Sequence, residues 1–263
     1  MEQLAVQSGD VEKRVQVLSR DLSHAYLYLK IAELYRKAKK SDEALEWAEK
    51  GVAAFPVHTD SRLREFLANE YHSRGRHDEA MQIMWEDFSD YGGLEQYRQL
   101  KAHAIKTGDP QSWMQWREKA LLSIKANIAS ARKGQAPNLP SWLAVDNSEL
   151  VRIFLWVKNI DAAWEAAQEG DCRAELWLAL AEHRAPDHPE DALAVYRAQV
   201  EPAVQRKNND AYAEAVEMVR QIRQLLLRMG KKDEWEQYLT SLQSTHRRLR
   251  NFMEMLEEVK QQQ

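Results

Sequence analysis

One pattern of large and small residues occurs twice in succession between residues 25 and 92, and it constrains the fold more than any other feature of the chain. Tyr35 and Ala44 of the first copy return 36 positions later as Tyr71 and Ala80. Large and small residues at three- and four-residue steps let two antiparallel helices pack closely, because small residues on one helix leave room for large residues on the other. The pattern therefore predicts two consecutive helical hairpins.

Each predicted hairpin turns through a short polar segment, KAKKSDEA in the first copy and SRGRHDEA in the second. Ser41 and Asp78 carry side chains that often cap helix N-termini, so we expect them to be the N-caps of the two second helices. The second helix of the first copy should end before Pro56, because proline cannot continue a helix. These signals predict where each helix begins and ends.

The spacing of the two copies is close to the 34-residue period of the tetratricopeptide repeat. Near the positions where that repeat has tryptophan, leucine, glycine, tyrosine, two alanines and proline, this sequence has Tyr28, Ile31, Ala32, Tyr35, Ala44, Gly51 and Pro56. Ala48 replaces the usual phenylalanine, and the neighbouring Trp47 can supply the missing bulk. The resemblance implies an all-α, right-handed α-solenoid of antiparallel helical hairpins.

Weaker versions of the hairpin pattern occupy the rest of the chain. Residues 10–22 predict a leading helix that covers the first hairpin, and a degenerate third pair follows Gly92 and Gly93. Hairpins resume after residue 148. A long apolar stripe over residues 209–229, followed by two further helices, predicts a longer C-terminal helical cap.

A proline-containing segment separates the two groups of predicted hairpins. Gly134, Pro137 and Pro140 interrupt any regular helix there, while the apolar Trp142 indicates an ordered connection that packs back onto the helices. We therefore divide the chain into an N-terminal region, a connection and a C-terminal region, which are residues 1–131, 132–148 and 149–263. We expect them to form one continuous solenoid.

The composition is that of a globular helical protein. Hydrophobic residues make up 44% of the chain and charged residues 30%, with only nine glycines and seven prolines. The net charge of −4 predicts no global attraction to nucleic acid or membranes. A single cysteine, Cys172, cannot form a disulfide within one chain, and neither a secretory signal nor a long apolar run occurs, so we expect a cytoplasmic protein without membrane contact.

Three stretches also resemble the helical region that follows the zinc finger in bacterial SWIM zinc-finger proteins. They are residues 20–51, 60–81 and 246–256. The predicted helix over residues 209–223 and the RNFM motif of the last stretch are more particular to that family than the repeat pattern. The SWIM finger needs a Cys-x-Cys and Cys-x-His ligand set, which one cysteine cannot provide. The resemblance therefore implies a metal module that lies upstream or has been lost, and a helper role in nucleic-acid or protein complexes.

The residues give no sign of catalysis or of a bound cofactor. The histidines lack the i, i+4 spacing of a helical ligand pair, and there is no glycine-rich phosphate loop. Cys172 has no histidine at a catalytic distance in sequence, so a small packed residue is favoured over a reactive thiol. We predict a protein that is not an enzyme and has neither a metal nor a cofactor.

Two binding hypotheses remain. In the first, the concave groove of the solenoid holds a peptide or partner helix against the first helices of the hairpins. By the usual geometry of the repeat, the groove residues are Tyr26, Leu29, Glu33, Arg36, Arg62, Glu65, Asn69 and His72. Their mixed polarity suits a partner segment with both apolar and charged side chains. The alternative is that solvent or the leading helix covers these residues.

In the second hypothesis, a basic patch near the C-terminus contacts the phosphates of a nucleic acid. Between residues 220 and 250 there are eight lysines and arginines against three acidic residues. The candidate phosphate contacts are Arg220, Arg223, Arg247, Arg248 and Arg250. The alternative for the first two is pairing with Glu214 and Glu217 along their own helix.

Overall fold

The structure, a computed structural model, describes residues 11–57, 59–134 and 146–261, and its regular elements there are all helices. The described helices are α1 Val11–Leu18, α2 Ala25–Lys37, α3 Ser41–Ala54, α4 Ser61–Ser73, α5 His77–Tyr91, α6 Gly93–Lys106, α7 Pro110–Arg132, α8 Ser148–Trp156, α9 Ile160–Gly170, α10 Ala174–Arg184, α11 Pro189–Gln205, α12 Asn209–Arg228, α13 Lys232–His246 and α14 Arg250–Gln261. The all-α, tetratricopeptide-like fold is confirmed. No helix in the described part of the chain is both long and apolar enough to span a membrane.

The chain divides into two compact units, residues 1–145 and 146–263. In the first unit, α2 packs on α3, α4 on α5, and α6 on α7, as three consecutive hairpins. The 36-residue offset of the sequence is kept in the structure, since α2 begins at Ala25 and α4 at Ser61. The boundary between the units lies in the predicted connection, most of which, including Trp142, is outside the described residues. A single continuous solenoid stays a prediction.

Small residues bring the helices of the first hairpin into close contact, as the pattern predicts. Ala44 and Ala48 of α3 are fully buried. A Cβ atom added to Gly51 would lie 2.5 Å from the Cβ atom of Tyr28 in α2, so only glycine fits there. The Trp47 ring lies 5.9 Å from the Tyr28 ring, so tryptophan supplies bulk beside the alanine that replaces phenylalanine.

The turns of the first two hairpins are closed by the backbone, and the predicted N-caps are wrong. Helix α3 begins at Ser41 and α5 at His77, one residue before Asp78, so the N-cap positions belong to Lys40 and Arg76. The Lys40 N–H donates to the Tyr35 carbonyl at 2.9 Å, and the same bond recurs in the second hairpin between Arg76 and Tyr71. Because this hydrogen bond closes each turn at Lys40 or Arg76, the next helix begins directly after that residue. Ser41 and Asp78 therefore lie inside their helices and not at the N-cap position.

The predicted leading helix exists but is shorter than expected. Helix α1 ends at Leu18, and a turn in which the Asp21 side chain accepts from the Ser23 N–H leads into α2. Glu12 of α1 accepts hydrogen bonds from the Tyr35 hydroxyl at 3.0 Å and from Lys40 at 2.7 Å. Helix α1 therefore covers the end of the first hairpin near its turn.

The second unit contains two hairpins and a three-helix end. Helix α8 packs on α9 and α10 on α11, and the turn at Lys158 and Asn159 joins α8 to α9. Helix α12 contacts α11, α13 and α14, and its apolar stripe is buried from Tyr212 to Leu226. Phe252 and Leu256 of α14 are fully buried against this stripe. The longer C-terminal helical cap is thus confirmed within this unit.

Candidate functional site

The first helices of the hairpins in the first unit present neighbouring side chains, which we call the first-helix face. It comprises the predicted groove residues on α2 and α4 and the residues of α6 that contact them. Helix α2 packs directly on α4. The Arg62 guanidinium of α4 lies 4.7 Å from the centre of the Tyr26 ring of α2. Arg36 lies 5.3 Å from the Phe66 ring and 3.5 Å from the Glu70 carboxylate.

Side chains of α6 continue this face. Lys106 donates a hydrogen bond to the Asn69 side-chain oxygen at 2.6 Å. The ring centres of His72 and His103 are 5.2 Å apart. The sequence did not reveal these α6 residues, because the 36-residue offset of the first two hairpins does not continue. Helix α6 begins at Gly93, only 32 residues after α4 begins at Ser61.

Seven of the eight predicted groove residues reach the surface in full or in part. Tyr26 is 40% exposed, and Arg36 and Arg62 are also exposed. The partly buried members are Glu33, Glu65, Asn69 and His72. Leu29 is the exception and a correction, since only 4% of its surface is exposed. Helix α2 packs on both α3 and α4, so its buried arc is wider than one stripe and includes Leu29.

The exposed ring of Tyr26 is an accessible apolar surface of the first-helix face. Two cations flank this ring. Lys30 of the same helix lies 5.1 Å from the ring centre, and the Arg62 guanidinium of α4 lies 4.7 Å from it. Arg62 also forms a bidentate contact with Asp60, whose pKa is lowered by this hydrogen-bonded pairing. Arg62 is thereby held over the ring. An apolar side chain next to an acidic group would complement this arrangement.

Three histidines meet beside the first-helix face. The Nδ1 atoms of His72 and His77 are 2.8 Å apart, and the His103 ring also contacts His72, tilted by 31°. Burial, with the positive charges of neighbouring groups, lowers the pKa of His72 to about 4 and that of His103 to about 3. Both imidazoles are therefore neutral at pH 7. Within the described residues, no group of three or more potential ligands has metal-binding geometry.

The predicted phosphate patch is divided in the structure. Arg220 contacts Glu217 at 2.9 Å and Glu258 at 3.9 Å, whereas Asn251 contacts Asn209 at the other end of α12. The eleven-residue step from Asn209 to Arg220 corresponds to roughly 16 Å of helix. Arg220 and Arg223 therefore lie apart from the group Arg247, Arg248 and Arg250. The proposed pairing of Arg220 with Glu217 is confirmed, while Glu214 pairs with Arg206 instead.

Cys172 has the environment of a packed residue. It is 6% exposed, and burial together with the negative charge of Asp171 raises the pKa of its thiol to about 12. A thiolate is the reactive form of cysteine, so this side chain is protonated at neutral pH and is a poor nucleophile. The favoured interpretation from the sequence, a small packed residue, agrees with this geometry.

A family profile described as the tetratricopeptide repeat matches residues 25–58. These residues span the first hairpin, α2 and α3, where the sequence resemblance is most complete. No curated protein sequence matches the chain.

Similar solved structures are helical repeat proteins of low sequence identity. The TPR domain of P58(IPK) has 12% sequence identity and a TM-score of 0.33, and the alignment covers 98% of this chain and 95% of that domain's chain. The TPR2AB domain of yeast Sti1, in complex with pHSP90, has 13% identity and a TM-score of 0.27, with 90% and 98% covered. A putative kinesin light chain of Podosopora anserina has 17% identity and a TM-score of 0.21, with 92% and 100% covered. Scores this low carry no inference about partners.

Proposed function

We propose that the protein is a non-catalytic scaffold that binds an extended or helical segment of a partner protein on the first-helix face. The observation that carries this proposal is the Tyr26 ring, which is exposed and in contact with both Lys30 and Arg62. Exposed aromatic rings on a rigid support are typical anchors of protein interfaces, because they bury a large area at a small entropic cost.

The helix that carries Tyr26 is firmly packed. Ile31 and Ala32 of the same helix are fully buried, and Tyr35 is fixed by its hydrogen bond to Glu12. A partner would therefore meet a preformed surface. The match of residues 25–58 to the tetratricopeptide repeat supports a role as an interaction scaffold, since stacked hairpins present extended binding faces.

The partner segment should carry an apolar side chain followed by an acidic one. The apolar side chain would contact Tyr26, and the acidic group would pair with Arg62 or Lys30. Glu33 and Glu65 lie further along the face and suit a basic residue one or two turns away. The proposed partner segment therefore combines apolar, acidic and basic side chains.

A cytoplasmic location and kinship with the helical region of SWIM zinc-finger proteins also belong to the proposal. The first is supported by the free thiol of Cys172, because a reducing compartment keeps cysteines unpaired. The second is supported by the three stretches of sequence described above, and a genuine relationship would place the scaffold beside a metal module in related chains.

Capture of partners from a lysate tests the scaffold. The substitution Tyr26→Asp, alone and with Arg62→Glu, should abolish capture of the specific partner without changing the helical content by circular dichroism. The matched control is Leu227→Asp, because Leu227 is 41% exposed in the second unit, close to the 40% of Tyr26. Equal capture by the Tyr26 variant and the parent protein would contradict the proposal.

Binding of nucleic acid at the C-terminal arginines is the alternative function. Arg247 and Arg248 are exposed, and neither forms an ion pair with a residue that the structure describes. Charge reversal at Arg247, Arg248 and Arg250 should remove a salt-sensitive association with RNA or DNA if this alternative is correct. Purified protein without an elevated 260/280 nm absorbance ratio, and without such association, would eliminate it.

A further inference from the structure

The second unit contains a groove that the scaffold proposal does not use. Helix α11 packs on both α10 and α12, and the groove follows α11 between these two neighbours. Its wider part has a volume of about 700 Å³ and its narrower part about 350 Å³. Both parts are lined by Glu175, Leu178, Glu214 and Met218, so they form one continuous depression. We call it the α10–α12 groove.

The floor of the α10–α12 groove is apolar. Leu178 comes from α10, Tyr196 from α11 and Met218 from α12, and Ala203 extends the floor into the narrower part. Leu178 is only half-buried, although it lies in the interior of a helix that packs on its neighbours. Leu178 is the accessible part of this floor, since Met218 and Tyr196 are each only 6% exposed and support it from below.

The walls of the groove are acidic. Glu175 and Glu182 lie two helical turns apart on α10, and Glu214 and Glu217 lie one turn apart on α12, so each pair shares one side of its helix. None of the described residues lining the wider part is a lysine or arginine, and only Arg206 lines the narrower part. The carboxylates therefore surround the apolar floor from both sides.

Three of the four wall glutamates form ion pairs with arginines outside the floor, but these pairs are exposed to solvent. Glu217 contacts Arg220 at 2.9 Å, Glu214 contacts Arg206, and Glu175 is 3.7 Å from Arg152. The three glutamate side chains remain 57%, 60% and 62% exposed. Exposed ion pairs of this kind are weakly held, so an incoming cation can compete for the carboxylates.

We propose that the α10–α12 groove binds a basic amphipathic helix of a partner protein. Apolar side chains of that helix would occupy the floor, and its lysines or arginines would meet the glutamates of the walls. Glu175 and Glu182 are separated by roughly 10 Å along α10, which matches basic residues two turns apart on a helix lying alongside. Nucleic acid is disfavoured here, because its phosphates would face four carboxylates.

A designed peptide tests this proposal without a known partner. The probe is an 18-residue, fluorescein-labelled helical peptide of leucine and lysine, with leucine at i, i+3, i+4 and i+7. Its binding to the full chain is measured by fluorescence anisotropy. We expect saturable binding that weakens as salt is added. The same peptide with glutamate in place of lysine, and a scrambled peptide of equal composition without an apolar face, should bind at least about tenfold more weakly.

Variants of the protein locate the binding. Glu182→Lys combined with Glu217→Lys should raise the dissociation constant of the probe about tenfold or more. The control is Glu165→Lys with Glu169→Lys, which makes the same charge change at exposed positions of α9 that do not line the groove. If the lysine variant does not fold, Glu182→Gln with Glu217→Gln provides a milder version whose loss of affinity should be smaller but measurable.

Two results would overturn the groove proposal. One is equal binding of the scrambled and amphipathic peptides, which would mean attraction to net negative charge alone. The other is equal loss of affinity in the groove variant and in the α9 control. The outcome is separate from the scaffold proposal, because the Tyr26→Asp variant should bind the probe as the parent protein does.

Discussion

At the scale of single residues, Gly51 shows how closely the first hairpin is packed. The atom nearest to an added Cβ is the Cβ of Tyr28, which cannot rotate away as the end of a flexible side chain could. Alanine normally favours a helix over glycine by about 1 kcal/mol. Here the steric conflict should exceed that gain, so the packing decides the sign of the change.

The substitution Gly51→Ala should lower the free energy of unfolding by about 1–3 kcal/mol, the usual cost of overpacking a helix contact. Urea denaturation followed by circular dichroism measures it. Ala53→Ser serves as the control, because Ala53 is an exposed residue of the same helix and its change should stay within about 0.5 kcal/mol. Unchanged or increased stability of Gly51→Ala would show that α2 and α3 are not in such close contact.

His103 and His72 make stability depend on pH. Their folded-state pKa values of about 3 and about 4 lie below the usual 6.5, so between these values the unfolded chain binds more protons than the folded chain. Stability is therefore fully present above pH 6.5 and falls as the pH decreases towards 4. The charged groups facing this pair are Lys106 and His77, and both disfavour a further positive charge when protonated.

We expect acidification from pH 7 to pH 4.5 to lower the free energy of unfolding, and His103→Leu to remove part of this dependence, on the order of 1–2 kcal/mol. Urea midpoints at several pH values measure the effect. His183→Gln, at an exposed position of α10, should leave the dependence unchanged. Parallel curves for His103→Leu and the parent protein would contradict a buried neutral imidazole.

At the scale of elements, the same backbone turn recurs where one helix of a hairpin leads to the next. Residues with positive φ occupy the turn at Lys39, Gly75, Lys158 and Gly230. In each case the following N–H bonds to a carbonyl five residues earlier, as in Lys40 to Tyr35 and Lys231 to Leu226. This left-handed conformation is easy for glycine and costs other residues about 1 kcal/mol.

Both turns should be more stable with glycine at the residue of positive φ, so adding glycine to the first turn and removing it from the second should have opposite effects on stability. Lys39→Gly should stabilise the first hairpin by about 0.5 kcal/mol, because it removes strain at φ 60°. Gly75→Ala should destabilise the second by about 1 kcal/mol through φ 75° alone, since nothing lies within 4 Å of an added Cβ. Thermal unfolding of both variants measures the two changes. Shifts of the same sign would contradict the shared geometry.

The sequence predicted the elements better than their ends. The nine-residue step from Tyr35 to Ala44 and its return in the second copy located two hairpins, because side-chain packing of α2 on α3 requires that spacing. The N-caps at Ser41 and Asp78 were wrong, because backbone hydrogen bonds close these turns and side-chain preference has no part in them. Leu29 was misplaced for a related reason, since a one-dimensional pattern cannot show that α4 covers a second side of α2.

At the scale of the whole molecule, the two units present different binding chemistry. The first-helix face combines the Tyr26 ring with the cations Lys30 and Arg62, whereas the α10–α12 groove combines an apolar floor with four glutamates. The sequence indicated the first surface through the repeat register. It could not indicate the second, because its glutamates belong to helices whose pairing across α11 appears only in three dimensions.

The central claim is that a partner protein contacts the first-helix face at Tyr26. Site-specific photo-crosslinking tests it most directly, with a photoreactive phenylalanine analogue in place of Tyr26, and in separate samples in place of Arg62 or the comparably exposed Leu227. We predict that the Tyr26 and Arg62 positions crosslink to the same peptide segment, identified by mass spectrometry, and that Leu227 does not. Crosslinking of that segment at Leu227 alone, or no common segment at Tyr26 and Arg62, would contradict the account.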